Sequence, residues 1–215
     1  DEADVKNIVR SMIIPGKGCY LIGGDYDQEE MRIVADESKC EHLIELFNNN
    51  TSDIYVEIAK AIWHTETVDK QTRYIAKQTT LGMSFGMGAN KFVEQAKRYG
   101  FNLDEEDARE VIQVMRSRFP EISATLQYYA RQTKEHGFVT DRFGKRYHVP
   151  TDFAYKTFNA IIQGTAAQIM KRSMITLQEQ IKKNFPPNKF LLISTVHDEI
   201  LCEVDESIPE KDAWA

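Results

Sequence analysis

LLISTVHDEILCEV, Leu191–Val204, sets two runs of Leu, Ile and Val on either side of His197, Asp198 and Glu199. Only His197 and Asp198 separate the apolar stretch Lys189–Val196 from Glu199–Val204. That spacing predicts two strands closed by a tight antiparallel turn. A turn accounts for one polar residue, and Asp is common there. It accounts less well for three ionisable groups in succession between apolar flanks. A histidine in such a place is more often structural, and His197 is read that way here.

Working outward, YLIGGD (Tyr20–Asp25) is another short apolar run that ends in an acid, so a small antiparallel sheet of at least three strands is expected. Helical periodicity fills most of the remainder. Helices are expected from Gln28 to about Ser38 with Met31, Val34 and Ala35 inward, over His42–Phe47, and over Asp53–Trp63 capped by Ser52 or Asp53. Further helices run from Asp69 to about Phe85, over Lys91–Tyr99, and over Leu103–Arg118 after DEED, whose acids suit a helix N-terminus. Pro120 opens a helix ending near Gly137. Phe138–Thr140 and Arg146–Val149 read as a small hairpin around FGK, and Asp152 to about Asn184 as one long helix. A small antiparallel sheet among many helices makes the class α+β.

Composition narrows the options. The chain has 215 residues and no apolar run of about 18, so no membrane-crossing helix is expected. DEADVKNIVR at the start lacks the order of a signal peptide and reads like the middle of a longer protein. Cys19, Cys40 and Cys202 lie far apart, which suits a reduced intracellular compartment and neither a disulfide framework nor a zinc site. The 27 basic residues against 33 acidic ones give a net charge of −6. That balance counts against a nucleic-acid binder, whose affinity rests on Lys and Arg at phosphates, although a local basic stripe is enough.

The stretches that carry chemistry are GGDYDQEEMR, the hairpin tip, one helix and one small-residue stretch. Asp25 stands where an apolar strand ends, and Asp198 and Glu199 stand at the hairpin tip. Taken alone, Asp25 as a cap of the next helix is an equally open explanation. Two acids on neighbouring strand ends make a hard-oxygen site suited to magnesium, and two such ions would clamp an in-line displacement at phosphorus. Arg73, Lys77, Leu81 and Phe85 are spaced by four, so they share a helix face that runs from two cations through an apolar residue to a ring. A nucleoside triphosphate has that same order; an amphipathic helix with a solvated basic end is the plain alternative. Asn159 and Gln163 share another face beside Gly164, Ala166 and Ala167. That bare surface suits either the close approach of a duplex minor groove or tight helix packing.

Together these stretches resemble the family A DNA polymerases of the bacterial DNA polymerase I type. DYDQEEMR (Asp25–Arg32) is similar to that family's first palm motif, RYIAKQTTLGMSFG (Arg73–Gly86) to its fingers motif, VHDE (Val196–Glu199) to its second palm motif, and QGTAA (Gln163–Ala167) to a further signature. The resemblance implies a palm over residues 1–40 and 138–215, fingers over 41–137, and neither thumb nor exonuclease in this stretch. It implies that Asp25, Asp198 and the Tyr26 carbonyl hold two Mg²⁺ ions, supported by Glu199. Arg73 and Lys77 then hold the triphosphate of a dNTP, with Lys77 also a general acid to pyrophosphate, and Gln28 and Tyr55 lie at the nucleotide. Glu30 crowds the 2′ position of the sugar, Phe85 stacks near the incoming base, and Gly86 lets the fingers close. Asn159, Gln163, His197 and Arg32 then contact primer–template DNA, His197 at the primer terminus, and Arg10 matches an Arg preceding the first palm strand. Leu81, Phe85 and Tyr55 depart from the family's usual Phe or Tyr, Tyr, and His, as do Asp27 and Glu29 from Ser and an apolar residue. Those departures leave the metal ligands intact, bear on sugar selectivity, and fit a viral member.

Three readings follow. The first is template-directed DNA synthesis by a monomeric core, intracellular, with accessory replication proteins as further partners. The second is a nucleotide- and nucleic-acid-binding fragment without turnover because the thumb is missing. The third is a two-metal phosphohydrolase, which has no need of the cation-to-ring helix.

Overall fold

The structure is a computed structural model and describes residues 11–49, 53–63, 65–98 and 100–214. Arg10 lies outside them. Strand β1 (Cys19–Asp25) is followed by helices α1 (Glu29–Ser38), α2 (Glu41–Asn49), α3 (Ile54–Trp63) and α4 (Lys70–Ser84). Then come α5 (Ala89–Arg98), α6 (Glu105–Arg118) and α7 (Pro120–His136), the two-residue strands β2 (Val139–Thr140) and β3 (Arg146–Tyr147), and a 3-10 turn (Thr151–Lys156). The chain continues with α8 (Thr157–Asn184), β4 (Phe190–Val196), β5 (Glu199–Asp205) and α9 (Glu210–Ala213). The class is α+β, as expected. Two compact units divide the chain: Asp1–Asp27 with Ala167–Ala215, and Gln28–Ala166.

In the first unit β5 lies between β1 and β4, antiparallel to both. Alternation places Tyr20 and Ile22 of β1 with Ile200, Cys202 and Val204 of β5 on one face, where they pack with Leu177, Ile181, Phe185 and Phe190. The other face carries Leu21, Gly23 and Asp25 opposite Glu203, Leu201 and Glu199. Lys189 Nζ donates to Asp205 Oδ2 at 2.7 Å and ties the entry of β4 to the end of β5.

The second unit is helical apart from the short β2–β3 pair. Met31, Val34 and Ala35 are buried, as the periodicity of α1 predicts. Asp53 caps α3 by accepting from Tyr55 N–H at 2.9 Å. Asp104 and Asp107 close a capping box at the start of α6, and Pro120 stands in the first turn of α7.

The long helix expected from Asp152 is interrupted. Thr151–Lys156 is a 3-10 turn in which Phe153 has φ −110° and ψ 17°, and the α-helix begins at Thr157. Within that turn only Ala154 is buried, so no apolar face holds the first turns in α geometry. The β2–β3 hairpin is shorter than expected, and α9 was not anticipated: it has four residues, none of them buried.

Candidate active site

In the first unit, strand register brings the acids together. Asp25 stands directly opposite Glu199 in the β1–β5 ladder, and Tyr26 N–H donates to the Asp198 carbonyl at 3.1 Å. Two carboxylates directly opposite each other on paired strands make a place that favours a cation. Tyr26 is held a second time, its hydroxyl 2.5 Å from Ser173 Oγ on α8. Bonds at the backbone N–H and at the far end of the side chain of Tyr26 therefore fix the chain leaving Asp25.

Gly23 lies under the Glu199 side chain. A Cβ there would stand 2.9 Å from Glu199 Oε1, so its absence leaves the space that the carboxylate occupies. The hairpin tip is equally specified. His197 adopts φ 56° in the two-residue turn, a left-handed conformation that side chains other than glycine seldom take. On β4 the register shifts between Leu192 and Ser194, leaving Ile193 as an extra residue. Such a bulge re-aims the side chains beyond it, here those nearest the tip.

Among the described residues no group of three or more His, Cys, Asp or Glu is arranged as a ready metal cage. Magnesium rarely uses one; it takes one or two carboxylates and keeps water or phosphate oxygens for the rest. Asp25 and Asp198 with the Tyr26 carbonyl are an oxygen-only donor set of that kind. Sulfur is kept away, because Cys202 is buried on the opposite face of the sheet and Cys19 is at the far end of β1. These residues fit a magnesium ion and not zinc. A cavity of about 870 Å³ opens beside Asp25 and Tyr26, lined by apolar side chains such as Leu177, Phe190 and Trp214 and by the amides Gln180 and Asn184, with no Lys or Arg among the described residues that line it.

In the second unit, the face of α4 predicted to hold phosphate is built on α3. Arg73 Nε donates to Asp53 Oδ2 at 2.7 Å. The Arg73 guanidinium lies 5.6 Å from the ring centroid of Tyr55, and Lys77 Nζ lies 5.7 Å from the same ring. Tyr55 is 1% exposed, so it meets the two cations from the buried side. Two donors of Arg73 face Asp53, which leaves three of the five N–H groups of a guanidinium for another anion. Leu81 and Phe85 continue the stripe, both half-buried, while Ile75, Ala76, Thr79 and Thr80 are buried. Gly86 has φ 78°, and a Cβ there would come 3.3 Å from the Tyr155 carbonyl, so both backbone and space require glycine.

On α1, Gln28 takes the left-handed N-cap position, Glu30 is half-buried in the first turn, and the Arg32 guanidinium lies 4.6 Å from the Phe47 ring centroid. On α8, Gln163 is exposed and Asn159 is half-buried, its Oδ1 buried without a hydrogen-bond partner among the described residues. For Gly164 the packing explanation holds: a Cβ would fall 1.9 Å from the Tyr147 hydroxyl, which itself donates to Asp141 Oδ2 at 2.8 Å. The bareness at that position seats the β2–β3 hairpin. Sequence reasoning missed three participants: Asp53 as the partner of Arg73, Ser173 as the partner of Tyr26, and the bulge at Ile193. Asp53 carried only the signal of a helix cap, and the other two carried none.

The sequence model of DNA polymerase family A matches residues 2–213. The chain belongs to that family. It is 30% identical over 216 residues to the thermostable DNA polymerase I of Thermus filiformis, covering 94% of this chain and 25% of that protein. Against DNA polymerase I of Helicobacter pylori strain ATCC 700392 / 26695 it is 31% identical over 212 residues, covering 93% and 22% respectively. The chain thus spans about a quarter of the length of these curated relatives. Among solved structures it is similar to the POL domain of Pol1 from M. smegmatis in complex with DNA primer-template and dNTP. That match has a TM-score of 0.80 and 29% identity over 90% of this chain and 35% of the other. Family A polymerases are metal-dependent, in keeping with the oxygen donors at Asp25 and Asp198. No helix of the described residues is long and apolar enough to cross a membrane.

Proposed function

We propose that the chain is the catalytic part of a template-directed DNA polymerase, transferring a deoxynucleotide from a dNTP to a primer 3′-hydroxyl. The observation that carries this reading is the strand register that sets Asp25 opposite Glu199 and bonds Tyr26 to Asp198. Asp25, Asp198 and the Tyr26 carbonyl hold two magnesium ions, which when bound supply charge neutralisation at the reacting phosphate. Glu199, seated over Gly23, keeps the site acidic, and His197 contacts the primer terminus from its left-handed turn. The first unit, with the chain ends, serves as palm.

In the second unit Arg73 and Lys77 bind the triphosphate, and Lys77 gives a proton to the leaving pyrophosphate. Tyr55 orients both cations from beneath, and Asp53 pre-sets the fork of Arg73. Leu81 and Phe85 meet sugar and base, Gln28 lies at the nucleotide, Glu30 crowds the sugar's 2′ side, and Arg32, Asn159 and Gln163 contact the DNA. With Leu81 and Phe85 where the family usually carries Phe or Tyr and Tyr, sugar selectivity differs from the family's common pattern. An intracellular setting and a monomeric core go with this reading.

The test is extension of a labelled primer with magnesium and single dNTPs. The chain should add only the nucleotide complementary to the template. Asp198→Ala should abolish addition while dNTP binding through Arg73 and Lys77 survives. Substantial extension by Asp198→Ala would sink the assignment, and binding of DNA and dNTP without any addition by the parent chain would favour a binding fragment.

A further inference from the structure

Phe153 and Tyr155 of the 3-10 turn are 48% and 50% exposed, large for aromatic side chains with no catalytic task. Their ring centroids are 6.5 Å apart, and Lys156 Nζ lies 4.9 Å from the first ring and 5.7 Å from the second. Close by in sequence, the Arg146 guanidinium lies 4.8 Å from the Phe138 ring centroid. Each cation is exposed, and among the described residues neither Lys156 nor Arg146 has a carboxylate within ion-pair distance. Exposed rings interleaved with unpaired cations are the chemistry that holds single-stranded nucleic acid: flat faces for the bases, positive charge for the backbone.

Charge supports the same occupant. Of the four Lys or Arg residues from Phe138 to Lys156, Arg142 pairs with Asp36 and Glu37, which leaves Lys145, Arg146 and Lys156 against two Asp, in a chain whose net charge is −6. An apolar protein partner would have no need of that local reversal of sign. The Tyr155 carbonyl lies 3.3 Å from where a Cβ at position 86 would stand. The platform therefore abuts the residue that follows Phe85.

We infer that Phe153, Tyr155 and Lys156 form a stacking platform for the unpaired, single-stranded part of the template, without base preference. The word template rests on the polymerase reading above; binding of single-stranded DNA does not. The experiment measures fluorescence anisotropy of labelled 20-nucleotide oligothymidylate with the full chain, beside a blunt duplex of equal length. Stacking is worth about tenfold in affinity per base. Phe153→Ala/Tyr155→Ala should therefore lose about tenfold or more on the single strand and less than about twofold on the duplex. Phe153→Trp should bind like the parent, whereas Phe153→Leu/Tyr155→Leu, apolar but not flat, should stay weak. Lys156→Ala should lower the slope of log affinity against log salt by about 0.7.

No binding by the parent chain, an unchanged affinity in the double alanine variant, equal losses on strand and duplex, or rescue by leucine would each overturn the inference. If the parent fails to extend a primer yet shows the expected pattern on oligothymidylate, the platform stands and the polymerase reading falls.

Discussion

Asp53 performs two tasks with two oxygens. Oδ1 accepts the Tyr55 N–H that starts α3, and Oδ2 accepts from Arg73. Asn at this position keeps the cap, because the carbamoyl oxygen accepts as well as a carboxylate at a helix N-terminus. It removes the charge that orders the guanidinium. Asp53→Asn should therefore leave the melting temperature nearly unchanged and raise the KM for dNTP about five- to tenfold, with kcat altered less than about twofold, the pattern of lost ground-state positioning. Steady-state single-nucleotide incorporation checks this, and an unchanged KM would show that Arg73 does not depend on Asp53.

At the scale of elements, the β4–β5 hairpin carries the acids at its tip and is fastened at its base. The hydrogen bond from Lys189, with those from Ser207, holds the Asp205 carboxyl down at about 2. The unfolded value is about 4. The folded value is the lower one, so the contribution is complete above about pH 4 and is lost as pH falls from about 4 to about 2. Urea midpoints of the parent and Asp205→Asn should differ at pH 6 and converge by about pH 2; a difference constant across that range would contradict the fastening. Much at this scale was legible in advance. Two-residue spacing at His197-Asp198 defined the hairpin, and periodicity placed Met31, Val34 and Ala35 inside. The break at Phe153 was not legible, because an aromatic-rich turn without burial partners has the same local pattern as a helix start. The Ile193 bulge escaped for a related reason: an extra residue inside an unbroken apolar run leaves no mark on it.

For the whole molecule, the division into two units gives the acids and the cations proposed to bind triphosphate to different parts of the chain. Sequence alone indicated the types of group, since paired acids and a cation-to-ring helix are patterns of spacing. It did not indicate how they are held, because Asp53–Arg73 and Tyr26–Ser173 join residues 20 and 147 positions apart. The net charge of −6 is likewise uninformative until burial and pairing show which cations remain available. The central claim is that Asp25 and Asp198 together bind the metal that nucleotide transfer needs. Manganese, a paramagnetic stand-in for magnesium, can be titrated into the full chain with dNTP and followed by electron paramagnetic resonance. Asp25→Asn and Asp198→Asn should each weaken its binding at least about tenfold, whereas equal binding by the parent and both variants would contradict the account.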